Sequence, residues 1–252
     1  MTGLASFWLV LAASGNSKPD DRGATLFAAL FVAVIAGIWA IKKALDRKRT
    51  RALSDAAAEI GFTFCGEDWT DKSHAPLLET ALFGKGHGHR FRNIMTSDRA
   101  GFRVSLFDYS FTVGGGRNQQ TYTQTVATFS KDDASLPYFE LRPANLFDKA
   151  WDAVTHKNIH FDTDSEFARR YVLQGALPEK VRELFTRGLV SFVDGLDSQQ
   201  KWHIEGAGRT LVIYRAKKKE PVEQMRTFLE QTTAIAAPFL SFAGAATVNA
   251  TS

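Results

Sequence analysis

The longest apolar run in the chain lies near its N-terminal end, at residues 24–41 (ATLFAALFVAVIAGIWAI). Its 18 residues contain no charge and no proline. At about 1.5 Å per residue, a helix of this length spans about 27 Å, close to the roughly 30 Å hydrocarbon core of a bilayer. The alternative is a buried core helix, but a helix that is apolar on all sides needs more surrounding protein than a terminal position provides. The pattern therefore predicts one transmembrane helix, with Trp39 near a membrane interface.

Charged residues flank this apolar segment asymmetrically. Two basic and two acidic residues cancel within residues 18–22, whereas residues 42–51 form a basic collar with one acid, Asp46. Because basic residues stay on the cytoplasmic side of a membrane helix, the asymmetry predicts a single-pass protein of the cell (inner) membrane with its C-terminal domain in the cytoplasm. The collar is either a topology signal alone or also a contact for anionic lipid head groups. Its basic residues are Lys42, Lys43, Arg47, Lys48, Arg49 and Arg51.

Residues 1–23 consist of a short apolar segment and a polar spacer. The apolar part, residues 4–13 (LASFWLVLAA), has ten residues and is too short to span a bilayer. Three interpretations stay open: a cleaved signal, an interfacial segment, or an upstream stretch from a misassigned start.

After the collar, the pattern predicts a folded domain over residues 52–240. Apolar residues recur at helical spacing from Leu45 to Ile60, and Gly61 favours a helix end there. A second short helix is predicted at residues 75–82. Runs rich in β-branched and aromatic residues predict strands at 62–65, 89–96, 101–113, 120–129 and 138–141. We expect the last four of these strands to form an antiparallel meander.

Within residues 101–113 the apolar alternation changes face. Phe102, Val104 and Leu106 share one face, and Phe107, Tyr109 and Phe111 share the other. This change indicates either a β-bulge or a strand that is covered on both faces.

The last hundred residues mix helices with strands. Helices are predicted at 145–154, 178–193 and 221–236, a strand at 171–173, and a hairpin from 202–205 and 210–214 around residues 206–208. The fold class is therefore α+β, with one N-terminal transmembrane helix followed by a mostly antiparallel sheet packed with amphipathic helices. One domain is the simpler interpretation, lobes at 52–143 and 144–240 are the alternative, and residues 241–252 are predicted to be a flexible tail.

Composition and charge narrow the class of protein. The chain has 252 residues, 44% hydrophobic and 23% charged, which excludes collagen and low-complexity disorder. Its one cysteine, Cys65, excludes an internal disulfide and a thiolate metal site, and agrees with a reducing compartment. Residues 1–51 hold 8 of the 31 basic and 3 of the 27 acidic residues, so their net charge is +5 and that of the remainder is −1. The basic pI of about 9.2 thus belongs to the collar, and we expect no nucleic-acid partner.

Candidate chemistry along the chain is sparse. His87 and His89 resemble a ligand pair, but a metal site needs three or four converging ligands. The neighbouring residues 84–86 (GKG) match neither phosphate-binding fingerprint. Residues 162–166 (DTDSE) begin like a calcium loop but lack its later glycine and glutamate, so helix capping explains them better. Cys65 between Phe64 and Gly66 is expected to be a small buried residue, and no catalytic residue, cofactor or metal is predicted.

Several short stretches are similar to a loose group of bacterial proteins. They are residues 107–111 (FDYSF), 123–126 (TQTV), 139–143 (FELRP) and 165–171 (SEFARRY). The group combines an N-terminal membrane segment with a soluble α+β domain of unknown function, and the resemblance covers roughly residues 50–236. It implies a bacterial membrane protein and transfers no site residues.

These observations favour one functional hypothesis over two alternatives. The first is a membrane protein whose cytoplasmic α+β domain is a binding or scaffold module for an unidentified protein partner. The alternatives are a membrane-tethered enzyme with a site built from scattered residues, and a module in which the collar and the meander-plus-helix domain together sense anionic lipid. The lack of a catalytic motif argues against the enzyme.

Overall fold

The computed structural model describes residues 21–66, 77, 79–99, 101–144, 159 and 165–248. The chain divides into two compact units, with the boundary between Arg49 and Thr50. The predicted helix at 145–154 lies outside the described residues, as do residues 75, 76 and 78 of the one predicted at 75–82.

The first helix, α1 (Asp21–Glu59), contains the whole predicted membrane segment. Large apolar side chains between Leu26 and Ile41 are exposed, from 51% for Ile35 to 76% for Phe27. Within the described residues it is the one helix long and apolar enough to cross a membrane. In the second unit, the end of α1 buries Leu53 and Ala57 in the domain core.

Eight antiparallel strands form one sheet in the second unit. Their spatial order is β1-β2-β3-β4-β8-β7-β5-β6. The predicted meander holds for β2 to β4, but β5 pairs with β6 and β7, and β8 takes the place beside β4. Strands from both sides of residue 143 therefore share one sheet. The alternative of separable lobes at 52–143 and 144–240 stays a prediction. The strands are β1 Thr63–Gly66, β2 His87–Arg99, β3 Phe102–Val113, β4 Gln120–Ser130, β5 Leu136–Pro143, β6 Tyr171–Gly175, β7 Trp202–Gly208 and β8 Thr210–Arg215.

The described residues of this unit contain four further α-helices: α2 (Ser165–Arg170), α3 (Pro178–Leu184), α4 (Arg187–Asp194) and α5 (Met225–Val248). The single helix predicted at 178–193 is wrong. Phe185 leaves the helical conformation, and Thr186 begins α4 by accepting a hydrogen bond from the Leu189 backbone N–H. α5 extends past residue 241, where the sequence predicts a flexible tail to begin.

Both faces of the sheet are buried. The larger apolar cluster lies on the face that carries Leu106 and includes residues of α1 and of α2 to α5. The smaller cluster lies on the opposite face, around Phe107, Tyr109, Leu82 and Phe83. The change of alternation in β3 thus reflects cover on both faces, since β3 pairs with β4 in continuous register and the irregularities lie in β2. This architecture confirms the predicted α+β class.

Gly206 offers a test of the central packing. A Cβ at this position would lie 2.3 Å from Cε1 of Phe139, and Phe139 stacks against Phe239 at 5.8 Å between ring centroids. We expect Gly206→Ala to lower the free energy of unfolding by about 1–3 kcal/mol because the core cannot absorb the methyl group. Denaturant unfolding of the full chain in detergent measures this effect. Gly115→Ala is the control, since nothing lies within 4 Å of a Cβ there; equal stability of the two variants would contradict the packing argument.

Candidate functional site

Two glutamates lie side by side on the face of the sheet that carries the smaller cluster. Glu140 of β5 is the register partner of Glu205 of β7, so their side chains project on the same side. Only 8% of Glu140 and none of Glu205 is exposed. Two adjacent buried carboxylates are costly unless hydrogen bonds or cations compensate them.

Each oxygen of Glu205 accepts one hydrogen bond. The Leu82 backbone N–H donates to Oε2 at 2.7 Å, and the Tyr214 hydroxyl donates to Oε1 at 2.7 Å. Burial raises the pKa of Glu205 to about 7, with the Glu140 charge adding to the rise and Lys85 opposing it. Glu205 is therefore poised to gain or lose a proton near neutral pH.

Lys85 supplies the positive charge of this cluster. Its ammonium lies 2.6 Å from Oε1 of Glu140. Burial alone would lower the pKa of Lys85, but the two nearby carboxylates outweigh burial and raise it. The lysine of the GKG stretch is thus engaged inside the protein, where it holds the segment around residues 79–86 against the sheet.

His203 lies beside the same charges in its neutral form. Burial lowers its pKa to about 3, and the positive charges of Lys85 and Arg142 add to this effect. Its ring stacks on Tyr214 at 4.9 Å between centroids. Its buried Nδ1 has no hydrogen-bond partner in the described part of the chain. The four residues Lys85, Glu140, His203 and Glu205 form what we call the ionisable cluster, which can hold a proton between the sheet and the covering segment.

A second polar network ties α1 to the opposite face. The Thr50 hydroxyl donates to the Asn93 side chain at 2.8 Å, and Asn93 donates to Oδ2 of Asp108 at 2.9 Å. Thr125 donates to the other oxygen of Asp108 at 3.0 Å. Asp108 is 5% exposed. This chain of hydrogen bonds fixes where the N-terminal end of the domain meets the sheet.

Lys85 of the GKG stretch belongs to the ionisable cluster, whereas the other residues singled out in the sequence are not among its members. His87 contacts Gln119 at 3.2 Å and His89 contacts the Tyr109 hydroxyl at 2.7 Å, and the described residues contain no group of acidic, histidine or cysteine side chains able to hold a metal. Cys65 is exposed, not buried as expected, because β1 is an edge strand. The basic collar residues lie on α1, and residues 162–164 of the calcium-like stretch fall outside the description.

Sequence reasoning missed the ionisable cluster altogether. Its members come from a loop and two strands that are not neighbours in the sequence, so no spacing rule brings them together. One available signal was the isolated acids in otherwise apolar strands, at Glu140 in FELR and Glu205 in WHIE.

No protein-family model matches the chain, and no curated protein is significantly similar to it in sequence. Among solved structures, it is similar to the crystal structure of the mycobacterial trehalose monomycolate transport factor A, TtfA. The TM-score is 0.51 with 12% sequence identity, over 77% of this chain and 93% of that chain. At this identity the likeness shows a shared α+β fold.

Glu205 and His203 of the ionisable cluster should make the free energy of unfolding depend on pH. Between its usual value of 4.5 and about 7, folded Glu205 keeps a proton that the unfolded chain has lost, so its contribution to the free energy of unfolding falls by about 3 kcal/mol as pH rises. His203 acts oppositely, because between about pH 3 and 6.5 the unfolded chain holds the extra proton. The two contributions oppose each other from about pH 4.5 to 6.5.

Single substitutions separate these contributions. Relative to the parent, Glu205→Gln should make stability rise more steeply with pH up to about 6.5, and His203→Phe should make it fall between about 4.5 and 7. Urea unfolding in detergent from pH 4 to 8 measures both. Parent-like pH profiles for both variants would show that the cluster is not buried as described.

Proposed function

We propose that this chain is a single-pass membrane protein whose α+β domain serves as a binding or scaffold module on the cytoplasmic side of the membrane. One observation supports this most directly: the apolar part of α1 leaves large side chains uncovered over the whole predicted membrane segment, with Leu26, Phe31 and Ile38 each more than 60% exposed. Leaving one such side chain in water costs about 1.5–3 kcal/mol relative to burying it. A bilayer removes that cost for all of them together.

The domain itself needs no help from this segment to build a core. Its larger cluster draws on both the sheet and the helices packed on it. The apolar surface of α1 is therefore in excess of what the domain uses, which is typical of an anchor.

The structural neighbour supports the same class. TtfA is described as a transport factor for trehalose monomycolate. The likeness concerns the fold, and the neighbour's description as a transport factor favours a binding role over a catalytic one. Glu205 is fully buried beneath the segment around Leu82 and accepts a hydrogen bond from the Leu82 backbone N–H. A carboxylate held in this way does not reach a substrate, which favours a binding role over an enzymatic one.

Cytoplasmic sidedness is the expectation from the collar. Six basic residues and one acid follow the apolar segment within residues 42–51, whereas the charges before it cancel. Moving such a collar across the membrane is disfavoured, so the domain that follows it stays on the cytoplasmic side.

Membrane integration has a direct test. Phe31→Lys combined with Val34→Lys places two charges near the middle of the apolar segment, at a cost of about 2.5–3.5 kcal/mol each. We expect the parent chain to stay with membranes after alkaline carbonate extraction and the double variant to be released. Ala44→Lys is the control, because it adds a charge within the collar. Release of the parent chain would rule out an anchor.

Cys65 provides a natural reporter of sidedness. It is the one cysteine of the chain and it is exposed in the domain. A membrane-impermeant maleimide should leave Cys65 unlabelled in intact cells and label it after permeabilisation. Cys65→Ser with Ser17→Cys, which moves the thiol to the other side of the apolar segment, should already be labelled in intact cells. Labelling of the parent in intact cells would place the domain outside.

A further inference from the structure

Three strands of the sheet continue past the end of β8 as an extension, the β-arm (residues 87–92 and 108–125). β8 pairs with β4 only at residues 126–130, whereas β3 pairs with β4 out to Val113 and Gln120. The tip, residues 114–119, is exposed. The loop after β8, residues 216–219 (AKKK), lies along the β-arm, because the Lys217 backbone N–H donates to the Gln124 side chain at 3.1 Å.

Charge is strongly segregated onto these residues. The β-arm and the lysine loop together hold six of the 23 basic residues of 52–252 and one of the 24 acidic ones, the buried Asp108. Their net charge is therefore +5, and the remainder of residues 52–252 carries −6. A domain whose total charge is nearly neutral is thus electrically polarised. The basic residues are Arg90, Arg92, Arg117, Lys217, Lys218 and Lys219.

These basic side chains are exposed, and the acids that pair with two of the lysines are buried. All six basic residues are exposed. Lys219 lies 3.6 Å from Asp108 and Lys218 lies 3.8 Å from Glu220. Both acids are buried, and Glu220 also pairs with Arg215 at 2.5 Å. The surface of the β-arm therefore presents positive charge to its surroundings.

Aromatic side chains accompany this charge. Tyr122 is half-buried on the β-arm, and the Lys217 ammonium lies 4.5 Å from its ring centroid. Tyrosine is enriched at membrane interfaces, where its ring and hydroxyl meet different environments. A tyrosine beside lysines suits a headgroup layer better than bulk water.

The base of the β-arm lies where the chain enters the domain. Thr50 donates to Asn93, and Asn93 donates to Asp108, so the first residue of the unit sits at the root of β2 and β3. Residues 42–49 alone separate this point from the apolar segment. A tether of eight residues keeps the domain at the surface of the membrane, which raises the effective concentration of lipid around it.

We propose that the β-arm and the lysine loop bind the anionic head groups of the bilayer that anchors the chain. This inference rests on the proposed membrane anchor and deepens it: the domain itself, and not only the collar, reads negatively charged lipid. Each basic residue near an anionic surface contributes about fivefold to the binding constant. A nucleic acid would also match the charge, but the short tether favours the membrane over a partner that must diffuse to it.

The test uses the full chain in vesicles, with an environment-sensitive fluorophore on the β-arm. Cys65→Ser combined with Gly115→Cys puts the probe at the tip, where a Cβ meets nothing within 4 Å. In phosphatidylcholine vesicles containing 30% phosphatidylserine, we expect a blue-shifted emission that lipid-borne quenchers reduce. Vesicles of phosphatidylcholine alone should give little of either. Cys65→Ser with Ser135→Cys is the matched control, because that exposed position lies in the β4–β5 turn at the opposite end of β4.

Charge dependence completes the test. Adding Arg90→Gln, Arg117→Gln and Lys217→Gln should lower the quenching of the β-arm probe at least fivefold. Adding Lys180→Gln, Arg182→Gln and Arg209→Gln, three exposed positions off the β-arm, should leave it unchanged. Equal quenching with and without phosphatidylserine, or a shift produced by single-stranded RNA and not by lipid, would overturn the inference. A chain that resists carbonate extraction but shows no β-arm signal would disprove this inference while leaving the membrane anchor intact.

Discussion

The pairing of β4 with β8 is the constraint on which the rest of the domain depends. It joins the β2–β4 meander to the strands that follow it, in the middle of an eight-stranded sheet. It is also short, since β8 covers only residues 126–130 of β4. The part of β4 that pairs with β8 lies in the region of the sheet that is buried on both faces. Residues 120–125 of β4 extend past β8 and form the β-arm together with their partners on β3 and β2.

Burial on both faces has a chemical consequence inside the sheet. A strand covered on one side can send its polar residues to solvent, but the acids of β5 and β7 have no such outlet. Glu205 is therefore stabilised by the Leu82 backbone N–H and the Lys85 charge, both from the covering segment, and by the Tyr214 hydroxyl of β8. The cost of burying charge is offset by contacts that also hold the covering segment in place.

The uncovered part of the sheet has the opposite property. Its basic residues are exposed. Asp108 and Glu220, the acids that pair with two of the lysines, are buried and are held by hydrogen bonds and by Arg215. Because β8 covers only part of β4, the acidic side chains of β5 and β7 lie buried in the covered part of the sheet and the basic side chains are exposed on the β-arm. Thr50, the first residue of the second unit, contacts Asn93 of β2 at the base of the β-arm.

The sequence by itself determined the local features. The apolar segment, the collar, most strand positions and the α+β class follow from periodicity and charge within short windows, because these depend on neighbours along the chain. It did not reveal the break at Thr186, since a cap and a continuing helix share the same apolar spacing. Only the tertiary structure decided that β8 and not β5 lies beside β4, that Glu140 faces Glu205, and that Arg90, Arg117 and Lys217 share one end of a domain whose summed charge is nearly zero. Strand order and long-range pairing depend on how the strands pack so that both faces of the sheet are buried. Apolar periodicity and net charge along the chain do not contain the information about which distant residues this packing brings together.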